Sequence, residues 1–338
     1  MDPFAALDRI VYLLDRELAP APKVKAFVRA RELVQEMDRD ELRQLHAEGR
    51  LKDLPGIGDS TGGVIAEALD GKVPAYLTKL ETSSAIPIGE GEAIRAALKG
   101  DCHTHSEWSD GGAPIEVMAK AARQLGHDYM VLTDHSARLT IAHGLSAERL
   151  EQQLEEVERL NDELAPFRIL TGMEVDILED GGLDMTDEML AKLDVVVASV
   201  HSKLSMERTE MTRRMVLAMA NPHTDILGHC TGRKVVGRGR PQSKFDAELV
   251  FAACAKFDKA VEINCRPERQ DPPEELLQLA LDWGCKVSID TDAHAPGQLE
   301  WQPYGCDKAA RMGIEPSEIV NAMSADDLIA WAGSHPNE

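Results

Sequence analysis

Apolar residues recur at helical intervals through the first eighty positions. Leu7, Ile10, Val11, Leu14 and Leu18 form one stripe, and Pro20 and Pro22 end it. A second helix is predicted from Lys23. Val24, Phe27, Val28, Leu33 and Val34 give it a buried side, and Lys23, Lys25, Arg29 and Arg31 a basic one. A later stretch, Asp59–Leu69, carries Val64, Ile65 and Leu69 in the same manner. From Gly100 onward short apolar runs alternate with amphipathic segments, as in consecutive βα units with parallel strands. Strands are predicted to end within 103–105, 129–135, 168–176, 194–201, 225–229, 260–264 and 286–294. Helices are predicted near 115–125, 147–164, 207–220, 246–256 and 273–283. Seven parallel strands in one ring make a smaller relative of the eightfold α/β barrel, whose chemistry gathers at the C-terminal strand ends. The organisation expected is therefore a small all-α domain over 1–82, a linker over 83–99, and a distorted (β/α)7 barrel over 100–338.

Composition adds limits. Net charge is −22, which argues against nonspecific nucleic-acid binding over a wide basic surface. The acidity is uneven: residues 1–80 carry 12 basic and 14 acidic side chains, so nearly all the excess lies in the barrel. Six cysteines include no Cys-x-x-Cys pair and mostly sit in apolar segments, which fits buried thiols in a reducing compartment. The beginning of the chain lacks a basic and apolar leader, and no apolar run approaches bilayer length. A soluble cytoplasmic protein with no membrane partner is expected.

The candidate chemistry lies where the strands are predicted to end. His103 and His105 are two residues apart, so a strand would turn both imidazoles to one face, with Asp110 in the following loop. Further along come His135, Glu174, His201, His229 and the pair Asp292 and His294. Six of eleven histidines thus fall at predicted strand ends, and with three carboxylates they suit a cluster of borderline divalent ions. His46, His127, His143, His223 and His335 fall elsewhere and are read as structural or surface residues. After His229, Arg233, Lys234, Arg238, Arg240 and Lys244 crowd a loop with no acidic residue between Asp225 and Asp246. With Lys203, Arg266 and Arg269 they would ring the rim with cations suited to phosphate, Arg233 and Arg266 being favoured as catalytic because each stands nearest a strand end.

Three resemblances attach to these motifs. The stretch Leu54-Pro55-Gly56-Ile57-Gly58, followed by the Asp59–Leu69 helix, resembles a helix-hairpin-helix motif. In that motif backbone N–H groups of the turn meet a DNA phosphate, which makes Gly56, Ile57 and Gly58 candidate DNA contacts. Asp53 and Asp59 flank the turn and weaken this reading. Residues 1–80 are similar to the N-terminal module of bacterial family X DNA polymerases, but a serine- and proline-containing connector leads directly into the barrel, leaving no room for a polymerase palm. Residues 101–111, 133–135, 172–174, 199–201, 228–233 and 291–294 resemble the successive motifs of the polymerase and histidinol phosphatase superfamily, most nearly the phosphoesterase domain of those polymerases.

That resemblance implies three divalent ions, zinc, manganese or iron. His103, His105, Glu174 and Asp292 would hold the first, with Glu174 bridging to a second held by His201 and His229. Asp110, His135 and His294 would hold the third. A water shared by two such ions ionises near neutral pH, so the expected activity is phosphoester hydrolysis by a metal-bridging hydroxide, with Glu174 central. The substrate expected is a phosphorylated small molecule, in the manner of histidinol phosphatase, or a DNA 3′ end met by an exonuclease or 3′-phosphatase. The alternative is a noncatalytic DNA-binding or scaffolding protein.

Overall fold

The computed structural model describes residues 1–335, which form two compact units, Met1–Ile86 and the described residues from Pro87 onward. The first consists of α1 (Pro3–Arg16), α2 (Ala21–Glu36), α3 (Arg39–Ala47), α4 (Asp59–Leu69) and α5 (Ala75–Ser83). Its core takes Leu7, Ile10, Leu13 and Leu14 from α1, Phe27 and Val34 from α2, and Val64 and Ile65 from α4. Ile57, between the two turn glycines, is buried in the same core. Gly56 adopts φ +81°, a left-handed conformation that favours glycine, and so reverses the chain into α4.

The second unit begins with α6 (Glu92–Ala97), within the stretch read as a linker. Then follow β1 (Gly100–Thr104), α7 (Ile115–Gln124), β2 (Tyr129–Leu132), α8 (Ala147–Leu164), β3 (Arg168–Asp176), α9 (Asp187–Leu190), β4 (Val195–Ser199) and α10 (Arg208–Met219). The chain continues through β5 (Ile226–Leu227), α11 (Ala247–Lys256), β6 (Ala260–Asn264), α12 (Glu274–Asp282) and β7 (Val287–Asp290), and ends with α13 (Gln302–Arg311) and α14 (Ala325–Ala332). The helices begin and end as their sequence requires. Ser146 caps α8, accepting from the Arg149 N–H, and Leu150, Val157, Leu160 and Leu164 form its buried stripe. No helix among the described residues is long and apolar enough to cross a membrane.

All six ladders between neighbouring strands are parallel and follow chain order. The two-residue alternation divides each strand between two environments. Met130, Ile169, Met173, Val175, Val196 and Ala198 pack outward beneath the helices. Tyr129, Val131, Leu170, Val195, Val197, Ile226 and Ala260 gather with Cys102 in another cluster, into which α14 places Leu328 and Trp331. Continuing that inward register toward the C-terminal ends reaches His135 just past β2, Glu174 on β3, His201 just past β4 and Glu262 on β6. The ring interior therefore changes from apolar to ligand-bearing along its own axis. In β1 the register with β2 shifts between Asp101 and Thr104, an interval that contains His103, the first of the paired histidines.

The ring is closed largely by side chains where β1 meets β7. Asp290 Oδ1 accepts from the Cys102 N–H at 2.7 Å, and Asp101 accepts from the Thr291 N–H and hydroxyl. The Asn321 amide donates to the carbonyls of Gly100 (3.1 Å) and Ile289 (2.8 Å), and Gln302 donates to Gly100 O at 3.0 Å. Backbone pairing resumes at the rim, where the His105 N–H donates to Ala293 O at 2.8 Å. This seam is the distortion in the barrel, and it leads directly into His103, His105 and Asp292.

Candidate metal centre

Glu174 stands at the middle of the rim. Its Oε2 lies 3.2 Å from His103 Nε2, 3.5 Å from His105 Nε2 and 2.9 Å from His135 Nδ1. Its Oε1 lies 3.1 Å from His201 Nε2 and 2.9 Å from His229 Nε2. The two carboxylate oxygens therefore face two separate sets of imidazoles. Asp292 Oδ1 is 3.6 Å from His105 Nε2, and Asp110 Oδ1 is 3.5 Å from His135 Nε2 and 3.3 Å from His294 Nε2. All nine predicted ligand residues are thereby brought together.

Four overlapping groups have one ligand atom per residue within 4.8 Å of the others: His103, His105 and Asp292; His103, Glu174 and His229; His135, Glu174 and His201; and His105, Asp110, His135 and His294. His103, His105 and His135 each belong to two of these groups, so the sharing extends beyond the single bridge at Glu174. Six of the nine residues are buried, His201 and His294 are half-buried, and Asp110 is exposed. Nε2 of His103, His105, His201 and His229, with both oxygens of Glu174, are removed from solvent and have no hydrogen-bond partner of proper geometry among the described residues. Buried polar atoms without partners cost free energy. Six converging on one spot fit divalent ions, which would take up those lone pairs.

The charge distribution agrees. Burial opposes ionisation of Glu174, but His201, His103 and His135 hold its carboxyl well below the usual range. Asp292 is likewise held low against burial, chiefly by Arg269. Burial disfavours a proton on His201, yet Glu174 and Asp176 raise it to about 9. Burial, together with His294 and His135, pushes His105 well down.

Carboxylates unassigned from sequence aim these ligands. Glu262 Oε1 lies 2.6 Å from His103 Nδ1, and its other oxygen accepts from the His229 N–H and from Asn264 Nδ2. Asp176 Oδ1 lies 3.2 Å from His201 Nδ1. With Nδ1 of each ring donating to a carboxylate, Nε2 presents its lone pair inward. Asp134 orients the loop to Asp110: it accepts from the Ser106 N–H (2.8 Å), the Ser106 hydroxyl (2.6 Å), the Ser109 hydroxyl and Gln153 Nε2 (2.7 Å). These roles were detectable in part, because Glu262 shares the inward register of Ala260 and Asn264, and an inward carboxylate needs a partner.

The predicted cations separate. Arg269 reaches the centre, with Nε 3.0 Å from Asp292 Oδ2, and its buried Nη1 has no hydrogen-bond partner among the described residues. Arg266 Nη1 donates to Asp292 O at 3.0 Å and lies 3.1 Å from His294 Nδ1. Arg233 turns instead to the carbonyls of Arg269 (3.1 Å from Nε) and Gln270. Arg240 donates to Gly232 O at 2.6 Å, and Lys203 and Arg238 are exposed. Cys230 is buried outside the ligand groups, its thiol 3.9 Å from Asp271 Oδ1.

At the hairpin, the Gly58 N–H donates to Thr61 Oγ1 at 2.9 Å and the Ile57 N–H to Leu54 O at 3.2 Å. Asp59 pairs with Lys52, and Asp53 with Arg50 at 2.8 Å. Two N–H groups of the turn are thus already bonded within the protein.

Residues 101–266 match the family described as PHP domain. Over 234 residues the chain is 41% identical to the DNA polymerase/3′-5′ exonuclease PolX of Bacillus subtilis (strain 168), covering 69% of this chain and 41% of that protein. Over 210 residues it is 30% identical to a probable phosphatase of Thermoanaerobacter sp. (strain X514), covering 57% of this chain and 78% of that protein. The chain thus spans less than half the length of the first relative and most of the second. The crystal structure of histidinol phosphate phosphatase from Lactococcus lactis, complexed with zinc, L-histidinol and phosphate, is similar with a TM-score of 0.44 at 19% identity, covering 70% of this chain and 95% of that one. Between the matched segment and the alignment across most of the Thermoanaerobacter protein, one conclusion follows: this chain belongs to the PHP domain family.

Proposed function

We propose that the protein is a metal-dependent hydrolase of phosphoric esters. The observation that carries this is the convergence of unpartnered, buried Nε2 and carboxylate atoms around Glu174. His103, His105, Asp110, His135, Glu174, His201, His229, Asp292 and His294 would hold the ions, three in number, of zinc, manganese or iron. When bound, these ions supply positive charge that acidifies water and polarises a phosphoryl oxygen. The protein's own groups do the rest. Glu262 and Asp176 hold His103 and His201 in the tautomer that faces inward. Arg269, paired with Asp292, keeps a buried, unpartnered Nη1 that would serve as a donor for a phosphate oxygen, and Arg266 also pairs with Asp292. Arg233 braces the carbonyls of the loop that carries Arg269.

The substrate favoured is a phosphate ester at a DNA 3′ end. Supporting it are the 41% identity to a 3′-5′ exonuclease-bearing polymerase and the helical unit with its Gly-Ile-Gly turn. A small phosphomonoester is the second reading, favoured by the internally bonded N–H groups of Ile57 and Gly58. The test is hydrolysis of a 3′-phosphorylated oligonucleotide, a 3′-hydroxyl oligonucleotide and p-nitrophenyl phosphate by metal-loaded protein, with and without EDTA. Turnover that EDTA abolishes is expected, with kcat/KM highest on the oligonucleotides. Full activity without metal refutes the hydrolase mechanism, and hydrolysis confined to p-nitrophenyl phosphate refutes the DNA reading. Metal-loaded protein inactive on all three returns the barrel to a scaffolding role.

A further inference from the structure

The loop that carries Arg266 and Arg269 has a second side. Arg266 and Arg269 meet Asp292 at the metal centre. Pro267 and Gln270 line a separate cavity of about 660 Å³, whose lining includes none of the nine ligand residues. Asn264 belongs to both sides: it lines the cavity, and its amide donates to Asp292 Oδ2 and Glu262 Oε2, each at 3.2 Å. The remaining walls include Arg233, and Tyr304 and Lys308 from α13.

Volume and chemistry together define what fits. Pockets of roughly 300–1,000 Å³ take small organic ligands. Six lining residues are charged. Arg311 is committed to Glu274 at 2.7 Å and to Asp307 at 3.2 Å. Of the other three, Arg233 and Lys308 are cations and Glu275 is a carboxylate. The two cations lie close enough that, after burial, Arg233 is the main cause lowering the Lys308 ammonium below its ordinary value, even though Asp271 and Glu274 act to raise it. An anion between them would relieve that repulsion. The Lys308 ammonium has three donors, of which the structure shows one directed to Pro272 O. Beyond the cations, Tyr304 is 41% exposed, and Gln270 offers an exposed side-chain amide. A phosphate attached to a flat heterocycle satisfies cations, ring and amide at once.

We propose that this cavity is an effector site for a nucleoside monophosphate, with the phosphate between Arg233 and Lys308 and the base against Tyr304. Binding there also reaches the metal centre. Arg233 holds the carbonyls of Arg269 and Gln270, and Lys308 holds that of Pro272, so three anchors of the 266–273 loop depend on the two cations the phosphate engages. Occupancy draws the cations off those carbonyls and loosens the loop that aims Arg269.

The test uses deoxyadenosine monophosphate, with inorganic phosphate as the baseless control. Binding is measured calorimetrically on metal-loaded protein and on protein kept in EDTA, for wild type, Lys308→Ala and Tyr304→Ala. The nucleotide should bind in EDTA, more tightly than phosphate, and each substitution should weaken it about tenfold or more. In metal-loaded protein saturating nucleotide should lower kcat on p-nitrophenyl phosphate, and Lys308→Ala should abolish that effect. Tyr304→Ala changes an exposed ring, so it reports even if Lys308→Ala fails to fold. The proposal is overturned if nucleotide binding disappears in EDTA, if neither variant weakens it, or if kcat is unchanged at saturation. Turnover measured without nucleotide judges the hydrolase reading independently.

Discussion

Replacing Glu262 by glutamine changes one oxygen to an amide nitrogen, and the consequence can be followed atom by atom. The carboxylate serves three donors: His103 Nδ1 at 2.6 Å on Oε1, and the His229 N–H and Asn264 Nδ2 on Oε2. If the new NH2 replaced Oε2 it would face two donors. Replacing Oε1, it faces only His103, which can respond by changing tautomer. The glutamine therefore adopts the second orientation, and His103 accepts at Nδ1 and carries its proton on Nε2. That proton points toward Glu174 Oε2, 3.2 Å away, where a metal ion would require a lone pair. Loss of such a buried orienting group costs about 10–100-fold in metal affinity, or about 1.4–2.7 kcal/mol. The fold should lose less, about 1 kcal/mol, because the His229 and Asn264 donors keep their acceptor. Chelator-competition titration of metal into apo protein reads the affinity, at a pH high enough that protons no longer compete. A thermal melt reads the fold, and Glu262→Asp, which keeps the acceptor but shortens its reach, should fall between. Metal affinity within twofold of wild type, with an unchanged number of ions, would refute the orienting role of Glu262.

Three further outcomes are expected. Glu174→Ala removes oxygens that face two sets of imidazoles, so metal content measured by emission spectroscopy should fall by more than one ion per chain; loss of one ion or none counts against bridging. In metal-free protein His201 titrates near 9, and Glu174 and Glu262 hold His103 well above the ordinary histidine value against burial, so both carry protons at neutral pH. Metal must displace them, hence apparent affinity should rise with pH up to about 9, with about two protons released per chain as read by calorimetry in buffers of different ionisation enthalpy; a flat profile contradicts this. Gly172→Ala would put a Cβ 2.6 Å from Val195 O and 2.7 Å from Val131 Cγ1, so the barrel should lose about 1–3 kcal/mol in denaturant unfolding; a melt identical to wild type would show that the ring has slack there.

Strand alternation made much of this protein legible before its structure. The same two-residue register that turns Val131 and Leu170 inward turns His135 and Glu174 inward further along, so the predicted ligands and the predicted barrel were one inference. Register failed at the seam. Nothing in the sequence distinguishes Asp101 and Asp290 as the groups that join β1 to β7, because a carboxylate bonded to a neighbouring strand is written like any other. Chain distance is a poorer guide to the arginines. Nearness to a strand end favours Arg233 and Arg266 alike; Arg266 stands against Asp292 and His294, but the loop after β6 folds back, brings Arg269 onto Asp292 and leaves Arg233 bonded to carbonyls behind it. A loop's side chains are placed by where its backbone is anchored, and here the anchors of the 266–273 segment are Arg233 and Lys308. Arg233, the cation expected at the phosphate, instead braces from one step back the loop that carries Arg269.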